Sequence, residues 1–449
     1  MDESPLSQLQ GKFSIIDLVG QWYVLDNDQI SDAMEGIGYV KYYKKQDARL
    51  LLERYIEAKP IVVGDSEISN LIRDFWRSPN TRFYSSVAFD PIPQKNSVLN
   101  FWQGHGVVPE SGECKVILDL LYKVICDGNK QQFRYLCHFL AHMLQKPEEK
   151  PDVAIIMIGG QGTGKGMFYR LLKRIWPYTM LQVHDVDDVI GRFTGALEWS
   201  YGVWMDEALF THDRKSMERL KAAISEKEMR IEEKFEPKRT IKSHHRFFAA
   251  TNNDHFANID TDDRRFFVLR VSSTHQQDHQ YFSRYLSALE GDEEVPALVH
   301  TLLNLDISKS NVHRRPQTDE HNNQKIKSLE GIKRYFYDVL QAGRFPMGEL
   351  VAAQNWEDPI KIPTKSLIDS YKKFDKTAER HRPVVEAVVV PEVKQIFPSA
   401  SSDRWGERGE RIRGIVFPSL KQARLEFSNH IRFKVEWEET SPDDEPEGP

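Results

Sequence analysis

The sequence predicts an α/β fold built on a parallel sheet, and three stretches predict it. The continuous apolar run Val153–Ile158 has the profile of a strand buried on both faces. It flows into Gly159-Gly160-Gln161-Gly162-Thr163-Gly164-Lys165 and then into a helix with Phe168, Leu171, Leu172 and Ile175 on one side. A second apolar strand, in YGVWMDEALF, ends in Asp206-Glu207, and a third, Phe247–Ala250, runs out at Asn252.

Strand, glycine-rich turn and helix form the context that a phosphate-cradling loop needs. Glycines let successive backbone N–H groups turn toward phosphate oxygens, the helix N-terminus adds its positive dipole, and a lysine reaches the outer phosphates. That assigns nucleotide binding to Gly159, Gly160, Gln161, Gly162, Thr163, Gly164, Lys165, Gly166 and Met167. A dinucleotide fold fits less well, because such loops have no need of a cation at the Lys165 position. Gly166 stands where a Ser or Thr hydroxyl is usual, so more of the metal falls to Asp206. In an ATPase of this pattern Asp206 holds Mg²⁺ and Glu207 polarises the attacking water; the plainer alternative is an exposed acidic pair at a strand end. Asn252 is placed to sense the outermost phosphate, although an Asn there also starts a turn. Arg264 and Arg265 follow on a short polar lead-in that suits an arginine finger reaching a neighbouring subunit. Either could serve, and either could instead be a surface ion-pair partner.

The segment LKAAISEKEMRIEEKFEPKRTIKSHHRF gives a helix face with Met217, Leu220 and Ile224. Two short strands follow, Met229–Ile231 and Thr240–Lys242, around the tip Glu233–Arg239. Lys234, Phe235, Lys238 and Arg239 put cations beside an aromatic ring, a pairing that suits phosphate contact plus stacking on a base or sugar. A merely solvated, charged hairpin has the same composition.

In order and compactness this string of motifs resembles the superfamily 3 helicases, an AAA+ branch that includes papillomavirus, polyomavirus, parvovirus and poxvirus-type replication helicases. In those the hairpin before the sensor carries a lysine with an adjacent aromatic or histidine, which Lys234 and Phe235 match; Asn252 and Arg264 match sensor and finger. LNFWQG, LAHMLQKPEEK, GGQGTGKG, MDEALF, LKAAISE, IEEKFEPKRTIKSHHRFFAATNN, DDRRFFVLRVS and NNQKIKSLEGI are further similar to phage and prophage primase-helicase proteins, over residues 70 to 340. That family often has glycine after the loop lysine. Thr194 in GRFTGAL departs from the expected Asn. The resemblance implies ATP and Mg²⁺ as cofactors, a homo-oligomeric ring, a hexamer in relatives, and 3′ to 5′ movement on single-stranded or forked DNA. It implies replication of a phage or mobile element as the setting. Relatives often carry an upstream primase or polymerase domain, but the roughly 150 residues before the loop are too few for one beside a collar and show no paired metal-binding acidic motif, so primer synthesis is expected from a separate primase or polymerase. An ATP-switched DNA-binding initiator, or a packaging or defence ATPase, would share the motifs without unwinding.

Composition agrees with a globular protein: 449 residues, 40% hydrophobic, 29% charged, net charge −6. Such a balance excludes coating of DNA by bulk positive charge and leaves local contacts. The N-terminus MDESPLSQLQGK lacks the apolar core of a signal peptide, and the longest aliphatic run is too short to cross a bilayer. Three cysteines in so long a chain suit a reducing, cytoplasmic location and no membrane. Cys137, His138 and His142 find no second cluster to complete a metal site. Four regions are expected: 1–64, a small α+β module with a helix at Asp47–Glu57; 65–145, a collar-like region that opens with a helix at Ile68–Trp76 and closes with two helices, the second at Gln131–Leu144, split by the breaker Asp127-Gly128-Asn129; 146–312, the AAA+ ATPase; and 313–449, a helix-rich accessory region. In the last, helices at Ile332–Leu340 and Lys365–Phe374 followed by GERIRGIVFPSL suit a winged-helix-like module, and the acidic tail TSPDDEPEGP suits disorder.

Overall fold

The computed structural model describes residues 4–18, 20–34, 40–58, 65–207, 214–232, 238–254, 263–346, 356–375, 384–407 and 411–437. The chain forms two compact units, Met1–Phe256 with Arg264–Thr318, and Ala257–Asp263 with Asp319–Pro449.

In the first unit, Ser4 caps helix α1 (Pro5–Lys12) by accepting from the Ser7 N–H, and Pro5 sits in the first turn, where its missing N–H costs nothing. Strands β1 (Phe13–Leu18), β2 (Gln21–Asp26), β3 (Tyr43–Lys44) and β4 (Phe83–Tyr84) pair in the order β3-β2-β1-β4. Alternation along β1 divides two cores. Phe13 and Ile15 pack with Leu52 and Ile56 of α3 (Lys45–Glu57) and with Ile72 and Phe75 of α4 (Asp65–Arg77), while Ile16 packs with Leu25, Tyr84 and Leu99. Helix α2 (Asn27–Met34) lies between β2 and β3, and β5 (Ser86–Ala88) pairs with β6 (Val98–Asn100) in parallel.

Helix α5 (Lys115–Asp119) runs on as a π-helical turn through Leu120–Ile125. The breaker then acts as the sequence expects: Asp127 and Gly128 take φ of 47° and 70°. The Asn129 side chain accepts from the Gln131 and Gln132 N–H groups and so starts α6 (Lys130–Gln145).

The chemistry-bearing core is a five-stranded, wholly parallel sheet in the order β13-β7-β12-β9-β8. Its strands are β7 (Ala154–Ile158), β8 (Met180–Val183), β9 (Gly202–Asp206), β12 (Arg246–Thr251) and β13 (Phe266–Arg270). Between them run α7 (Lys165–Ile175), the short α8 (Asp187–Ile190), α9 (Arg214–Ser225) and the antiparallel hairpin β10 (Glu228–Ile231) with β11 (Arg239–Lys242); α10 (His279–Glu290) and α11 (Glu294–Leu303) follow β13. Phe139 of α6, Phe168 and Leu171 of α7, Trp204 and Phe248 share one core with Ile155 and Met157. Each such side chain contributes roughly 1.5–3 kcal/mol on burial. This α/β sheet is consistent with a P-loop-like core.

Cys137 and His142 also serve packing. Burial pushes the Cys137 thiol up to about 12 and His142 down to about 4. The second unit has helix Gly331–Ala342, strand Ile360–Pro363, helices Thr364–Phe374 and Glu386–Ile396, strands Ser401–Trp405 and Ile412–Phe417, and helix Leu420–His430. The three strands form an antiparallel sheet with Ile412–Phe417 in the middle. The acidic tail expected to be disordered lies outside the described residues. No helix among the described residues is long and apolar enough to cross a membrane.

Below the sheet, His245 is wholly buried with a pKa pulled down to about 3, chiefly by burial and then by the Lys150 charge. His142 and His245 are therefore held neutral in the fold, while the unfolded chain takes up protons below about 6.5. Stability should fall as pH drops from 6.5 toward 4, by up to about 1.4 kcal/mol per pH unit for each group. Thermal midpoints followed from pH 7.5 to pH 5 should decline, and His245→Gln should flatten that slope whatever its effect at pH 7.5. A midpoint independent of pH over this range would contradict the assignment.

Candidate active site

The order of the sheet decides which side chains meet. Strand β12 lies between β7 and β9, with Thr251 opposite Ile158 and Ala250 opposite Asp206. The residues just past these three carboxyl ends are the glycine loop, Asn252 and Asp206-Glu207. Connections leave β7 toward β8 on one side and reach β13 on the other, and such a reversal opens a crevice at the strands' carboxyl ends.

Lys165 is nine-tenths buried there, and its Nζ donates to the carbonyl oxygens of Gly159 (2.6 Å) and Gly160 (2.8 Å) and to Asn252 Oδ1 (2.9 Å). Asn252 Nδ2 in turn donates to Glu207 Oε1 at 3.0 Å. Burial lowers the Lys165 pKa, with Asp206 and Glu207 acting in the opposite direction. Four of the five residues singled out for catalysis thus converge: Lys165, Asp206, Glu207 and Asn252. Glu207 is exposed and sits at φ 52°, its N–H bonded to the Ala250 carbonyl at 3.0 Å. A left-handed conformation is costly for a residue with a Cβ and persists where the surroundings impose it.

The loop needs glycine at two of its positions. Gly162 and Gly164 have φ of 77° and 101°, and a Cβ at Gly164 would lie 2.9 Å from the Phe282 ring. Gly160, Gln161, Gly162 and Gly166 are exposed, and a Cβ on Gly166 would meet nothing within 4 Å. Gly166 therefore leaves open space where a hydroxyl would stand. Thr163 Oγ1 donates to the Gly160 carbonyl at 2.9 Å, and Met167 N–H to the Gly164 carbonyl at 2.9 Å, closing the first turn of α7.

Several neighbours were not legible in the sequence. Gln182 Nε2 on β8 donates to Asp206 Oδ2 at 3.0 Å, fixing that carboxylate; a lone Gln in the apolar strand MLQV was the only signal. Gln276 Nε2 donates to the Gln161 carbonyl (2.9 Å) and Gln277 N–H to that of Gly162 (3.2 Å), bracing the loop from behind. Arg270 Nη1 donates to Asp254 Oδ1 at 2.6 Å and ties the turn after Asn252 to the end of β13. No sequence pattern marks these contacts, which depend on strand order.

Arg264 and Arg265 lie at the amino end of β13, the end of the sheet remote from the glycine loop of their own chain. They also differ: Arg265 Nε donates to Ser225 Oγ at 2.9 Å, whereas Arg264 is exposed. Lys234 and Phe235 lie outside the described residues. Of the other hairpin residues, Arg239 forms a two-pronged ion pair with the buried Glu198, and Lys238 pairs with Glu232 at 2.5 Å. The loop Gly191–Gly195 abuts this hairpin. Thr194 N–H donates to the Glu232 carbonyl at 3.1 Å and Arg192 pairs with the Glu232 carboxylate at 3.1 Å. Thr194 therefore braces the hairpin, and it leaves Arg192 and Phe193 exposed beside it, with the Arg192 guanidinium 5.4 Å from the Phe193 ring centroid. An Arg-Phe pair forty residues before the basic hairpin was the readable signal in the sequence.

The family described as "Family of unknown function (DUF5906)" matches residues 157–265, the stretch from β7 to Arg265. No curated protein matches the chain. Among solved structures, the apo structure of the NrS-1 C-terminal region is similar with a TM-score of 0.62 and 18% identity, covering 93% of this chain and 100% of that one. The A form apo structure of the same region gives 0.63 and 16%, covering 92% and 100%. This likeness is one of fold.

Two glycines separate loop geometry from loop chemistry. Gly164→Ala should destabilise the protein by more than about 1 kcal/mol, from the left-handed backbone alone, with the Phe282 clash added. Gly166→Ala, at a helical position with free space, should leave the unfolding midpoint unchanged or raise it, since Ala exceeds Gly by about 0.8–1 kcal/mol inside helices. Thermal denaturation of the pair checks this, and equal effects would contradict the geometry.

Proposed function

We propose that this chain is an ATP-driven DNA helicase motor of the superfamily 3, AAA+ type, acting as a ring of identical subunits on single-stranded or forked DNA. The observation that carries the reading is the bridge Lys165–Asn252–Glu207 at the carboxyl edge of a parallel sheet. An arginine stands at the opposite end of that sheet, and a basic hairpin is inserted directly before the sensor strand. The motif resemblance supplies the nucleic-acid class, and the solved relatives support the fold.

In this reading the loop Gly159–Met167 wraps the phosphates of ATP, and Lys165 exchanges its carbonyl partners for phosphate oxygens. Asp206, oriented by Gln182, holds Mg²⁺, whose chemistry is to neutralise charge on the transferred phosphoryl group. Glu207 orients the attacking water and accepts its proton, and Asn252 moves from Lys165 to the outer phosphate. Arg264 serves a neighbouring subunit's site, because its own chain places it at the far end of the sheet. Lys234 and Phe235, with Lys238 beside them and Arg192-Phe193 on the adjoining loop, face the DNA strand; Arg239 positions the hairpin through Glu198. The second unit, whose described residues pack helices on a three-stranded antiparallel sheet, serves as an accessory DNA- or protein-binding module.

Glu207→Gln should bind ATP almost normally yet hydrolyse it about 100- to 10,000-fold more slowly, while Lys165→Ala weakens binding itself. Arg264→Ala should also bind and fail to hydrolyse. Mixing the Arg264→Ala and Glu207→Gln proteins should restore part of the turnover, since mixed rings contain interfaces with both groups intact; Arg265→Ala run alongside should not behave as a finger. Normal hydrolysis by Arg264→Ala, or no recovery on mixing, would remove the shared site.

The hairpin gives a separate check. A Lys234→Ala, Phe235→Ala double variant should keep basal ATPase, lose its stimulation by single-stranded DNA, and bind DNA with a shallower salt dependence. Wild-type DNA binding by this variant would place the strand elsewhere.

A further inference from the structure

The reading above leaves unused a buried polar cluster beneath the sheet, and that cluster joins the two functional segments remote from ATP. Lys150, in the loop between α6 and β7, is buried, and all three of its ammonium donors are engaged. They reach the carbonyl oxygens of Ala223 (2.7 Å) and Glu226 (2.8 Å) and Ser243 Oγ (2.5 Å). The first two are carbonyls at the end of α9 that have no helical partner of their own, so Lys150 caps that helix where a cation also suits the dipole. Ser243 is the residue after β11, and its N–H donates to the Lys227 carbonyl at 2.8 Å, closing the base of the hairpin. Its hydroxyl is also 2.9 Å from His245 Nδ1, and His245 Nε2 reaches the Leu197 carbonyl at 2.9 Å.

The finger segment enters the same cluster from the other side. Ser225, the last residue of α9, lies between the two carbonyls that Lys150 holds. Its hydroxyl donates to the Lys221 carbonyl and accepts from Arg265 Nε at 2.9 Å. Arg265 is the covalent neighbour of Arg264. A displacement of Arg264 toward a neighbouring subunit therefore acts through one peptide bond, one hydrogen bond and one helix terminus on the base of the hairpin.

We infer that Arg265 and Ser225 are positioning residues that, with the Lys150 cap, couple the arginine finger in one direction and the DNA-facing hairpin in the other. The assignment rests on the helicase reading for its purpose and on the hydrogen bonds above for its geometry. It also gives the adjacent arginines different tasks: Arg264 reaches out and Arg265 reports inward. Coupling of this kind needs a contiguous set of packed and hydrogen-bonded groups with two arrangements. The end of α9 is the element that would shift.

Ser225→Ala removes the acceptor that Arg265 Nε uses with little change in volume, and Ser225→Thr keeps the hydroxyl. In full-length protein, three quantities are measured for each: basal ATP turnover, affinity for an oligothymidine strand, and the increment in turnover that the strand produces. Ser225→Ala should retain basal turnover and strand affinity within about two-fold while the increment falls about ten-fold, an ordinary size for coupling between sites; Ser225→Thr should restore it, and Arg265→Gln should reproduce the loss. Hydrogen exchange without DNA forms the second arm. Ser225→Ala should speed exchange in 228–231, 239–242 and 264–268 together, leaving α7 unchanged. A full increment in Ser225→Ala, or faster exchange in only one of those segments, overturns the inference. Absence of any strand-stimulated turnover in the wild-type protein would instead defeat the helicase reading, and the exchange arm would still decide whether hairpin and finger segment share this anchor.

Discussion

Everything at this site depends on β12 lying between β7 and β9. Parallel pairing on both sides fixes its register, so that Thr251 ends level with Ile158 and Ala250 with Asp206. Asn252 then has nowhere to stand except between the loop lysine and the acidic pair. The bond from Glu207 N–H to the Ala250 carbonyl, made across the same pairing, accompanies the left-handed backbone that turns Glu207 outward. A one-residue slip of β12 would invert its faces, bury Asn252 and part it from Lys165. The wholly apolar inner stretch Phe247–Ala250 resists such a slip only through packing, and Phe248 against Phe139, Phe168 and Trp204 supplies that packing.

The same strand carries a polar foundation at its other end. Arg246, wholly buried, donates to the carbonyl oxygens of His244 (2.6 Å) and of Lys146 and Pro147 (both 3.3 Å). It also packs 5.0 Å from the Tyr201 ring centroid. Burying a guanidinium is costly unless its donors are met, and here main-chain carbonyls meet those on Nη1 and Nη2 while the buried Nε has no hydrogen-bond partner among the described residues. Burial likewise keeps His142, His244 and His245 below their ordinary pKa. One end of β12 thus holds the candidate catalytic bridge, and the other holds the cluster that anchors the hairpin.

Much of this was legible in sequence, and what was legible was local. The run into the glycine loop, the Asp127-Gly128-Asn129 breaker, the helices near 47–57, 130–145 and 364–374, and both hairpin strands rest on periodicity, capping and turn chemistry within short windows. Strand order is not local. Nothing in MLQV says that Gln182 will reach Asp206, and nothing in STHQQD says that Gln276 and Gln277 will brace Gln161 and Gly162. Two adjacent arginines read alike in the sequence; the structure distinguishes their surroundings, with Arg265 donating to the Ser225 hydroxyl and Arg264 exposed. Nothing in GRFTGAL says what the departure at Thr194 does; its N–H and hydroxyl donate to the Glu232 and Arg230 carbonyls at the end of β10.

A motor differs from a switch in that hydrolysis is converted into strand separation. The most direct test is unwinding of a forked duplex, with 3′ and 5′ single-stranded arms, by the full-length protein with ATP and Mg²⁺. Particle mass is determined in the same buffer. A helicase motor should unwind as a ring-sized particle, and that unwinding should depend on the 3′ arm, be lost with a non-hydrolysable ATP analogue, and be absent from Glu207→Gln. ATP hydrolysis by the wild-type protein with no strand separation on any fork would contradict it and leave an ATP-dependent binding protein.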